Sequence, residues 1–415
     1  MGLRWRGAGT TGFYLLWIGE TLSQVGDWIH YLALIFYVTS VTRSMSGAGM
    51  ALLFSAIPST ILGPFAGVVA DRWDRKALIV ASNVLSGVFA LTLGFLTFHG
   101  APPMYQVYVL VFLLGAARAF FRPALSACIP SLIPVNQLNK ANSLLRFGSS
   151  ITEIAGPVAG GTVILLLGAP ASFLANGVSF LIASAMEIWV AIPRVSNTSS
   201  SKPVLQDLAD GWRCVRKNAT LAKVFSVMAM LVFFAQPMAI VLKTLTDGYY
   251  HAGSLGLGLL VAASATGTLV ATIYLIAKPD LPGWPGLFLG FPVVSGIAII
   301  LIGWIHSFPV ALALMFVEGL VGGLGEIVFA TMIQTMSPDE MRGKVFGFFA
   351  SITAALAPLA YAVAGVALDK ASVEVVLTVS GLALVAGGVV LVQGALPTLK
   401  AGKTPLTDTD AGRGA

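Results

Sequence analysis

The chain has 415 residues, of which 57% are hydrophobic and 10% are charged, and its formal net charge is +6. An average soluble domain carries roughly 25% charged residues, so a water-soluble fold could not bury this much apolar surface. In a soluble protein the positive charge would suggest a nucleic-acid partner, but here the loops of a membrane protein account for it. Cys128 and Cys214 are far apart in the sequence and indicate neither a disulfide framework nor a metal site.

Twelve apolar runs follow one another along the chain, each close to the ~20 residues that a helix needs to cross hydrocarbon. The first run lacks a cleavage site, so a spanning helix is expected there rather than a signal peptide. The approximate ranges are 13–39, 47–70, 77–99, 104–127, 143–167, 171–193, 220–245, 254–277, 285–306, 309–333, 343–368 and 372–395. Prolines inside several runs predict kinked helices. The sequence therefore predicts an all-α integral membrane protein with twelve transmembrane helices.

The basic residues fall mainly on one side of these runs. If the N-terminus is cytoplasmic, 19 of the 24 Lys and Arg residues face the cytoplasm, and the opposite side keeps Arg43, Lys243 and Lys370. The positive-inside rule then places both termini in the cytoplasm and the chain in the plasma, or inner, membrane. The lipid bilayer is the expected surrounding, a monomer is the expected state, and no nucleic acid is expected as a partner.

The longest hydrophilic stretch divides the runs into two groups of six. Within it, the spacing of apolar residues over 204–215 predicts an amphipathic helix on the membrane surface. The loops LIPVNQLNKAN and TMSPDEMRGKV occupy equivalent places after runs four and ten and form a weak internal repeat. The predicted divisions are an N-terminal six-helix half at 1–193, a cytoplasmic linker at 194–223, a C-terminal six-helix half at 224–396 and a disordered tail at 397–415.

The loop after run two reads GVVADRWDRKAL. Five of its residues match the loop pattern of the major facilitator superfamily: Gly67, Asp71, Arg72, Arg75 and Lys76. Asp74 stands where that pattern usually has Gly. An Asp at a helix end can accept from N–H groups at the start of another helix, where the dipole favours an anion. The resemblance implies that this loop is a conformational latch, with run eleven as the partner of Asp71.

Run five contains EIAGPVAGG, which is similar to the antiporter signature of the superfamily's exporters. Its small residues allow another helix to approach closely, and its proline removes one backbone donor. The candidate residues of this antiporter-like helix are Gly156, Pro157, Gly160 and Gly161. The segments SQVGDW in run one and GAARAFFRPA in run four resemble the macrolide efflux and enterobactin export proteins. The resemblance implies two pseudo-symmetric halves, a substrate site between them, and export rather than import.

Ionisable residues inside the predicted spans are costly and indicate a transport pathway or a proton relay. At ~1.5 Å per residue, Asp27 lies about 18 Å and Arg118 about 21 Å below the outer ends of their runs. Glu20 and Arg122 both lie about 27 to 28 Å below. The matched depths predict two ion pairs, Asp27 with Arg118 and Glu20 with Arg122. A position of Arg122 near the inner headgroups is the alternative to the second pair. Arg118 also resembles an intramembrane Arg of the superfamily that is associated with proton coupling.

The remaining acidic residues in the runs suggest further sites. Glu153 fits a proton site or a packing hydrogen bond equally well. Glu318 and Glu326 are eight residues apart in run ten and are expected to form an acidic face toward a cavity of the C-terminal half. Glu187 is expected at the membrane interface. His30 is expected on a helix surface, and titration together with Asp27, three residues before it, is the alternative.

These patterns predict a secondary active transporter that exports amphipathic drugs in exchange for protons by alternating access. The proton gradient would supply the energy, a small molecule would be the substrate, and no cofactor is expected. An exporter of siderophores or lipid-like anions is the alternative within this class. A sensor or assembly protein that does not transport would carry a soluble domain, for which the loops are too short. The sequence contains no HExxH, GxSxG or phosphate-binding glycine loop, so an enzyme is not expected.

Overall fold

The computed structural model describes residues 8–192, 204–235, 237–278 and 284–400. Thirteen α-helices and two short 3₁₀ turns form these ranges, without a β-strand among the described residues. The helices are α1 Ala8–Thr42, α2 Met45–Arg72, α3 Arg75–His99, α4 Met104–Leu132, α5 Leu138–Ile188, α6 Val204–Lys217, α7 Ala219–Ala235, α8 Met238–Gly248, α9 Gly253–Ala277, α10 Trp284–Trp304, α11 Phe308–Met336, α12 Arg342–Lys370 and α13 Val373–Lys400. The predicted tail beyond residue 400 and the linker residues 194–203 lie outside the described ranges.

Length and hydropathy identify nine candidate membrane spans within the described ranges. One of them contains α5, which is 51 residues long and changes direction at Gly168, where φ is 82° and ψ is 170°. This left-handed backbone favours glycine and divides α5 into a first limb and a second limb, which correspond to runs five and six. Counting the limbs separately and adding α1 and the shorter apolar stretch Gly290–Trp304 gives twelve. The helical membrane fold is confirmed, although length and hydropathy alone do not recover each of the twelve spans.

The predicted internal repeat has a structural counterpart in two matching turns. The 3₁₀ turn Val135–Gln137 leads into α5, and the 3₁₀ turn Asp339–Met341 leads into α12. Each turn follows a proline of nearly the same conformation, with φ and ψ of −55° and 145° at Pro134 and −56° and 146° at Pro338. The two loops therefore begin their helices in the same way.

The chain forms two compact units. Unit 1 comprises the described residues of 1–199, 239–262 and 361–370, and unit 2 comprises those of 200–238, 263–360 and 371–400. In unit 1, α1 packs along α5, α3 packs on α4 and α5, and α2 packs on α4. In unit 2, α10 packs on α11 and α13, and α7 packs on α13. The predicted division into two six-helix halves stays a prediction.

Unit 1 contains two large apolar clusters and a smaller one formed by Ala90, Leu114 and Phe180. The first includes Leu34, Ile35, Leu93, Val107 and Phe173. The second includes Phe13, Leu16, Ile79, Phe121 and Val190. Along α1, α3, α4 and the second limb of α5, polar residues come between the members of these clusters. We call this set the polar layer: Glu20, Asp27, Asn83, Arg118, Asn176 and Glu187.

Unit 1 also contains the start of α9, which packs closely on the first limb of α5. Ser254 donates a hydrogen bond from Oγ to the carbonyl oxygen of Gly161 at 2.8 Å. The backbone of Ser254 leaves no room for a side chain at Gly161, and the backbone of Pro157 leaves none at Gly258. Glycines therefore allow these two helices to touch at the backbone.

The end of α12 packs on the start of α2 in the same unit. The backbone of Tyr361 occupies the space that a side chain at Gly49 would need. The backbone of Met45 and Ser46 does the same at Gly365. A second pair of helices in unit 1 thus meets through glycine.

Candidate functional site

The predicted pair of Asp27 and Arg118 is present in the polar layer. Nη2 of Arg118 on α4 donates to Oδ2 of Asp27 on α1 at 2.8 Å. The guanidinium carbon lies 4.7 Å from the ring centre of Phe121 and 5.1 Å from that of Phe180. The side chain of Arg118 is 18% exposed and that of Asp27 is 34% exposed. Two aromatic rings and an ion pair therefore hold the guanidinium, while the carboxylate keeps access to the surroundings.

Asn83 and Glu187 extend the pair to a second carboxyl group. Nδ2 of Asn83 on α3 donates to Oε1 and Oε2 of Glu187, each at 2.8 Å. Oδ1 of Asn83 accepts from Nη1 of Arg118 at 3.4 Å. Glu187 is 1% exposed and lies one residue before the end of α5, so it is buried among the helices and its expected depth at the interface stays a prediction.

The place of Glu187 near the end of an apolar run does not reveal its contact with Asn83. A signal was present on α3, where Ser82, Asn83 and Ser86 follow one another at helical spacing inside an apolar run. All three are buried. A buried polar stripe on one helix calls for polar partners on its neighbours.

The predicted pair of Glu20 with Arg122 is absent from the described residues. Oε1 of Glu20 accepts from Nε2 of Gln24 at 2.6 Å, and Oε1 of Gln24 accepts from Thr152 on α5 at 2.9 Å. Oε2 of Glu20 is buried without a hydrogen-bond partner among the residues that the structure describes, whereas the side chain of Arg122 is exposed. The prediction was wrong because equal depth does not determine the direction in which two side chains point around their helices.

Two further predicted residues on α1 and α5 have distinct surroundings. His30 is buried at 6% exposure, so a surface position is wrong. Its ring lies 5.1 Å from that of Phe173, and neither ring nitrogen has a hydrogen-bond partner in the described part of the chain. Glu153 is half-buried on the first limb of α5, next to Thr152. A proton site at Glu153 stays a prediction.

The predicted latch loop lies between α2 and α3. Asp74, which replaces the usual glycine, accepts from the backbone N–H of Ala77 at 3.1 Å and caps α3. This is a favourable N-cap, so the departure from the superfamily pattern has a local structural role. The backbone of Asp71 belongs to the last turn of α2. Its side chain lies outside what the structure describes.

The basic residues of the loop bind backbone carbonyl groups. Arg75 donates from Nη1 to the carbonyl oxygen of Ala127 at 2.8 Å. Lys76 donates from Nζ to the carbonyl oxygen of Ile188, the last residue of α5, at 2.6 Å. A cation at a helix C-terminus is stabilised by the dipole. The side chain of Arg72 is exposed, and the space beside Gly67 is open to 4 Å.

The antiporter-like helix presents small residues on two sides. Gly156 faces the ring of Trp28 and Gly160 faces the backbone of Ile29, both on α1. Gly161 and Pro157 face α9, as described above. The segment therefore packs closely on two helices at once.

The predicted acidic face of the C-terminal half lies on α11 in unit 2. Oε2 of Glu318 accepts from Oγ of Ser264 on α9 at 3.0 Å. One residue further, the carbonyl oxygen of Gly319 accepts from Oγ1 of Thr268 at 3.0 Å. Glu318 is half-buried and Glu326 is exposed. Their shared role in a cavity stays a prediction.

The predicted amphipathic helix is α6, which is bound to the start of α12 in unit 2. Nζ of Lys344 lies 3.1 Å from Oδ1 of Asp207 and 2.5 Å from Oδ2 of Asp210. The rings of Trp212 and Phe348 are 5.6 Å apart. Burial raises the pKa of the Cys214 thiol above its ordinary value, which lowers its reactivity.

Comparison with known proteins identifies relatives along nearly the whole chain. A family model described as Major Facilitator Superfamily matches residues 16–360. Macrolide efflux protein A of Streptococcus pyogenes is 23% identical over 377 residues, which cover 90% of this chain and 93% of the relative. The multidrug efflux pump Tap of Mycobacterium tuberculosis is 25% identical over 400 residues, covering 93% of this chain and 94% of the pump.

Solved structures with the same fold include two bacterial transporter homologues in inward-facing states. A bacterial homologue of the human lysosomal transporter Spinster has a TM-score of 0.73 at 13% identity, covering 97% of this chain and 98% of that one. A bacterial homologue of the iron transporter ferroportin also has a TM-score of 0.73, at 16% identity, covering 92% and 98%. At these identities the likeness concerns the fold.

Proposed function

Because the chain belongs to the major facilitator superfamily, we propose that it exports amphipathic drug-like molecules in exchange for protons. Membership makes the chain a multi-pass membrane transporter rather than an enzyme. The similarity to macrolide efflux protein A and to the pump Tap extends over at least 90% of this chain. This coverage supports drugs as the substrate class and export as the direction.

The observation that carries the coupling proposal is the ion pair of Asp27 and Arg118. Burial favours the neutral acid of Asp27, while the guanidinium favours its carboxylate. A carboxyl group under two opposed influences can exchange a proton when its partner moves. A proton or a cationic substrate would each compete with Arg118 for Asp27. Exchange of one for the other links efflux to proton entry.

The packing within unit 1 supports alternating access. The start of α9 on α5 and the end of α12 on α2 are contacts at helix ends that we predict to face the periplasm. Glycines bring these helices together at the backbone. For the site to open outward these contacts must separate, and for it to open inward they must form. Glycine surfaces suit such a reversible contact because no side chain has to move aside.

Asp369 adds an electrostatic contact at the same end. Its carboxylate accepts from Oγ of Ser44 at 2.6 Å, from the N–H of Met45 at 2.7 Å and from the N–H of Ser46 at 3.1 Å. These donors form the start of α2, where the dipole favours an anion. The resemblance implies the same chemistry for Asp71 at the opposite end of α2. We therefore assign Asp369 as an outer latch and Asp71 as an inner latch.

The proposal is tested with inverted membrane vesicles in which an acid interior is imposed. Macrolides and cationic dyes should accumulate inside as protons leave, and the accumulation should be lost in Asp27→Asn. Asp71→Asn should slow transport without reducing the amount of protein in the membrane. Accumulation that is independent of the pH gradient would contradict proton coupling. Accumulation of anionic siderophores alone would favour the alternative substrate class, for which the exposed Arg122 is a suitable contact.

A further inference from the structure

The Asn83 amide connects two carboxyl groups to a single guanidinium. Its nitrogen faces both oxygens of Glu187 at 2.8 Å, and its oxygen faces Nη1 of Arg118 at 3.4 Å. On its other side Arg118 binds Asp27 at 2.8 Å. Four side chains from four helical segments thus form one chain of hydrogen bonds inside unit 1.

The orientation of this amide depends on the proton of Glu187. An ionised carboxylate only accepts hydrogen bonds, so it holds the amide nitrogen toward itself and the amide oxygen toward Arg118. A protonated Glu187 can donate to the amide oxygen instead. The amide then turns over and presents its NH₂ group to the guanidinium, which carries no acceptor. The proton of Glu187 therefore decides whether Asn83 attracts or repels Arg118.

The charges in the layer do not balance when all of its carboxyl groups are ionised. Glu20, Asp27 and Glu187 are carboxyl groups of the layer, while Arg118 is its single guanidinium. A buried carboxylate without a counter-charge is strongly unfavourable. One arginine shared between Asp27 and Glu187 therefore stabilises the ionised form of each of them less than it would stabilise either alone.

The other titratable groups on α1, α3 and α4 do not supply this counter-charge. Arg75 and Lys76 on α3 donate to backbone carbonyl oxygens. Arg122 on α4 is exposed. The thiol of Cys128 on α4 and the ring of His30 on α1 are buried. Arg118 remains the cation that reaches Glu187, through Asn83.

We propose that Glu187 is a second protonatable carboxyl group of the coupling site, and that Asn83 and Arg118 link it to Asp27. When a proton binds the carboxylate of Asp27, Arg118 is released toward Asn83. Glu187 then gives up its proton, and the amide oxygen of Asn83, which lies 3.4 Å from Nη1 of Arg118 in the structure, comes closer to the guanidinium. One proton enters at Asp27 as one leaves at Glu187, so the charge of the layer is unchanged. This inference rests on the proposed proton coupling.

The test is infrared difference spectroscopy of the full-length protein in lipid, recorded as the pH is changed. A protonated carboxyl group has its own C=O stretching band, and Glu187→Gln should remove one such band that Asp27→Asn leaves. In Asp27→Asn the guanidinium of Arg118 no longer has a carboxylate at position 27 and stabilises the ionised form of Glu187 alone. The band of Glu187 should then disappear at a proton concentration about tenfold or more higher than in the unmodified protein. Glu187→Asp should shift the band and so assign it independently of Glu187→Gln.

In Asp27→Asn the pH at which the Glu187 band disappears is displaced. Asn83→Ala in that background should reduce this displacement, because Glu187 is then no longer linked to Arg118. Asn176→Ala is the matched control, since Asn176 is a buried amide of the same layer that lies against Ser179 rather than Arg118. It should leave the displacement unchanged. A Glu187 band that is absent, or that disappears at the same pH with and without Asp27, would overturn the proposal.

The spectroscopic result is independent of transport. If Asp27→Asn displaces the pH at which the Glu187 band disappears, but a pH gradient drives the transport of no compound, the proposed function fails and the link between the two carboxyl groups stands. If proton-driven export is present without the displacement, the link fails and the proposed function stands.

Discussion

Removal of one partner of the Asp27 and Arg118 pair should destabilise the protein, and removal of both should recover part of the loss. Asp27→Asn leaves a guanidinium without its carboxylate partner, with the neutral amide of Asn83 at 3.4 Å. Arg118→Gln leaves a carboxylate in the layer without its 2.8 Å donor. In each single variant a charge loses its counter-charge, whereas the double variant carries neither charge.

The exposed fractions of the two side chains determine the expected size of the effect. Breaking a fully buried pair costs about 3–5 kcal/mol, and breaking an exposed pair costs about 0–1 kcal/mol. Arg118 is 18% exposed and Asp27 is 34% exposed, so the pair lies between these limits. We expect each single variant to lose about 1–3 kcal/mol of unfolding free energy, and the interaction term of the double-mutant cycle to be about 1–2 kcal/mol.

The assay is reversible unfolding in mixed detergent and lipid micelles for the unmodified protein, both single variants and the double variant. Proton-driven efflux should be absent in the double variant even where stability returns, because the proton acceptor is missing. Binding of a cationic substrate should weaken as the pH falls through the titration of Asp27, and this dependence should flatten in Asp27→Asn. Additive losses of stability together with an unaltered pH profile would refute both the pairing and its role.

Three further predictions concern the outer contacts and the topology. Asp369→Asn should speed hydrogen exchange at the first two amides of α2, measured by mass spectrometry, because their charged acceptor is gone; unchanged exchange would contradict the outer latch. Gly161→Leu should abolish transport while the protein still inserts, because a side chain there meets the backbone of α9. Gly63→Ala, with open space around it, is its control, and equal transport rates in both variants would count against the outer contact. Cysteines introduced at Ser199 and Thr407 should resist an impermeant reagent in intact cells, and labelling at either would reverse the predicted orientation.

Much of the membrane fold follows from residue order alone. Long apolar runs predict helices because a bilayer offers no other partner for backbone N–H and C=O groups. The gap between runs five and six coincides with Gly168, where a positive φ bends α5. The two similar loops predicted an internal repeat, and Pro134 and Pro338 have the same conformation before the helices that follow them. Depth, which is a simple count of residues along a helix, predicted the pair of Asp27 and Arg118 that the structure contains.

Which side chains meet across helices was decided by the tertiary structure. Depth measures position along a helix, but contact also requires two side chains to point toward each other, and that depends on how the helices are rotated. Glu20 and Arg122 have equal depth, yet Glu20 binds Gln24 and Arg122 is exposed. Glu187 lies near a helix end in sequence but is covered by α3 and bound to Asn83.

The contact that forms the outer latch was also decided by the tertiary structure. Asp369 and Ser44 are 325 residues apart, and neither belongs to a pattern that points to the other. Their contact exists because the end of α12 packs against the start of α2, where glycines allow the backbones to approach. The sequence by itself determined which segments cross the membrane and how deep their charges lie. The packing of the helices decided which charges share a partner, because packing sets the rotation of each helix about its own axis.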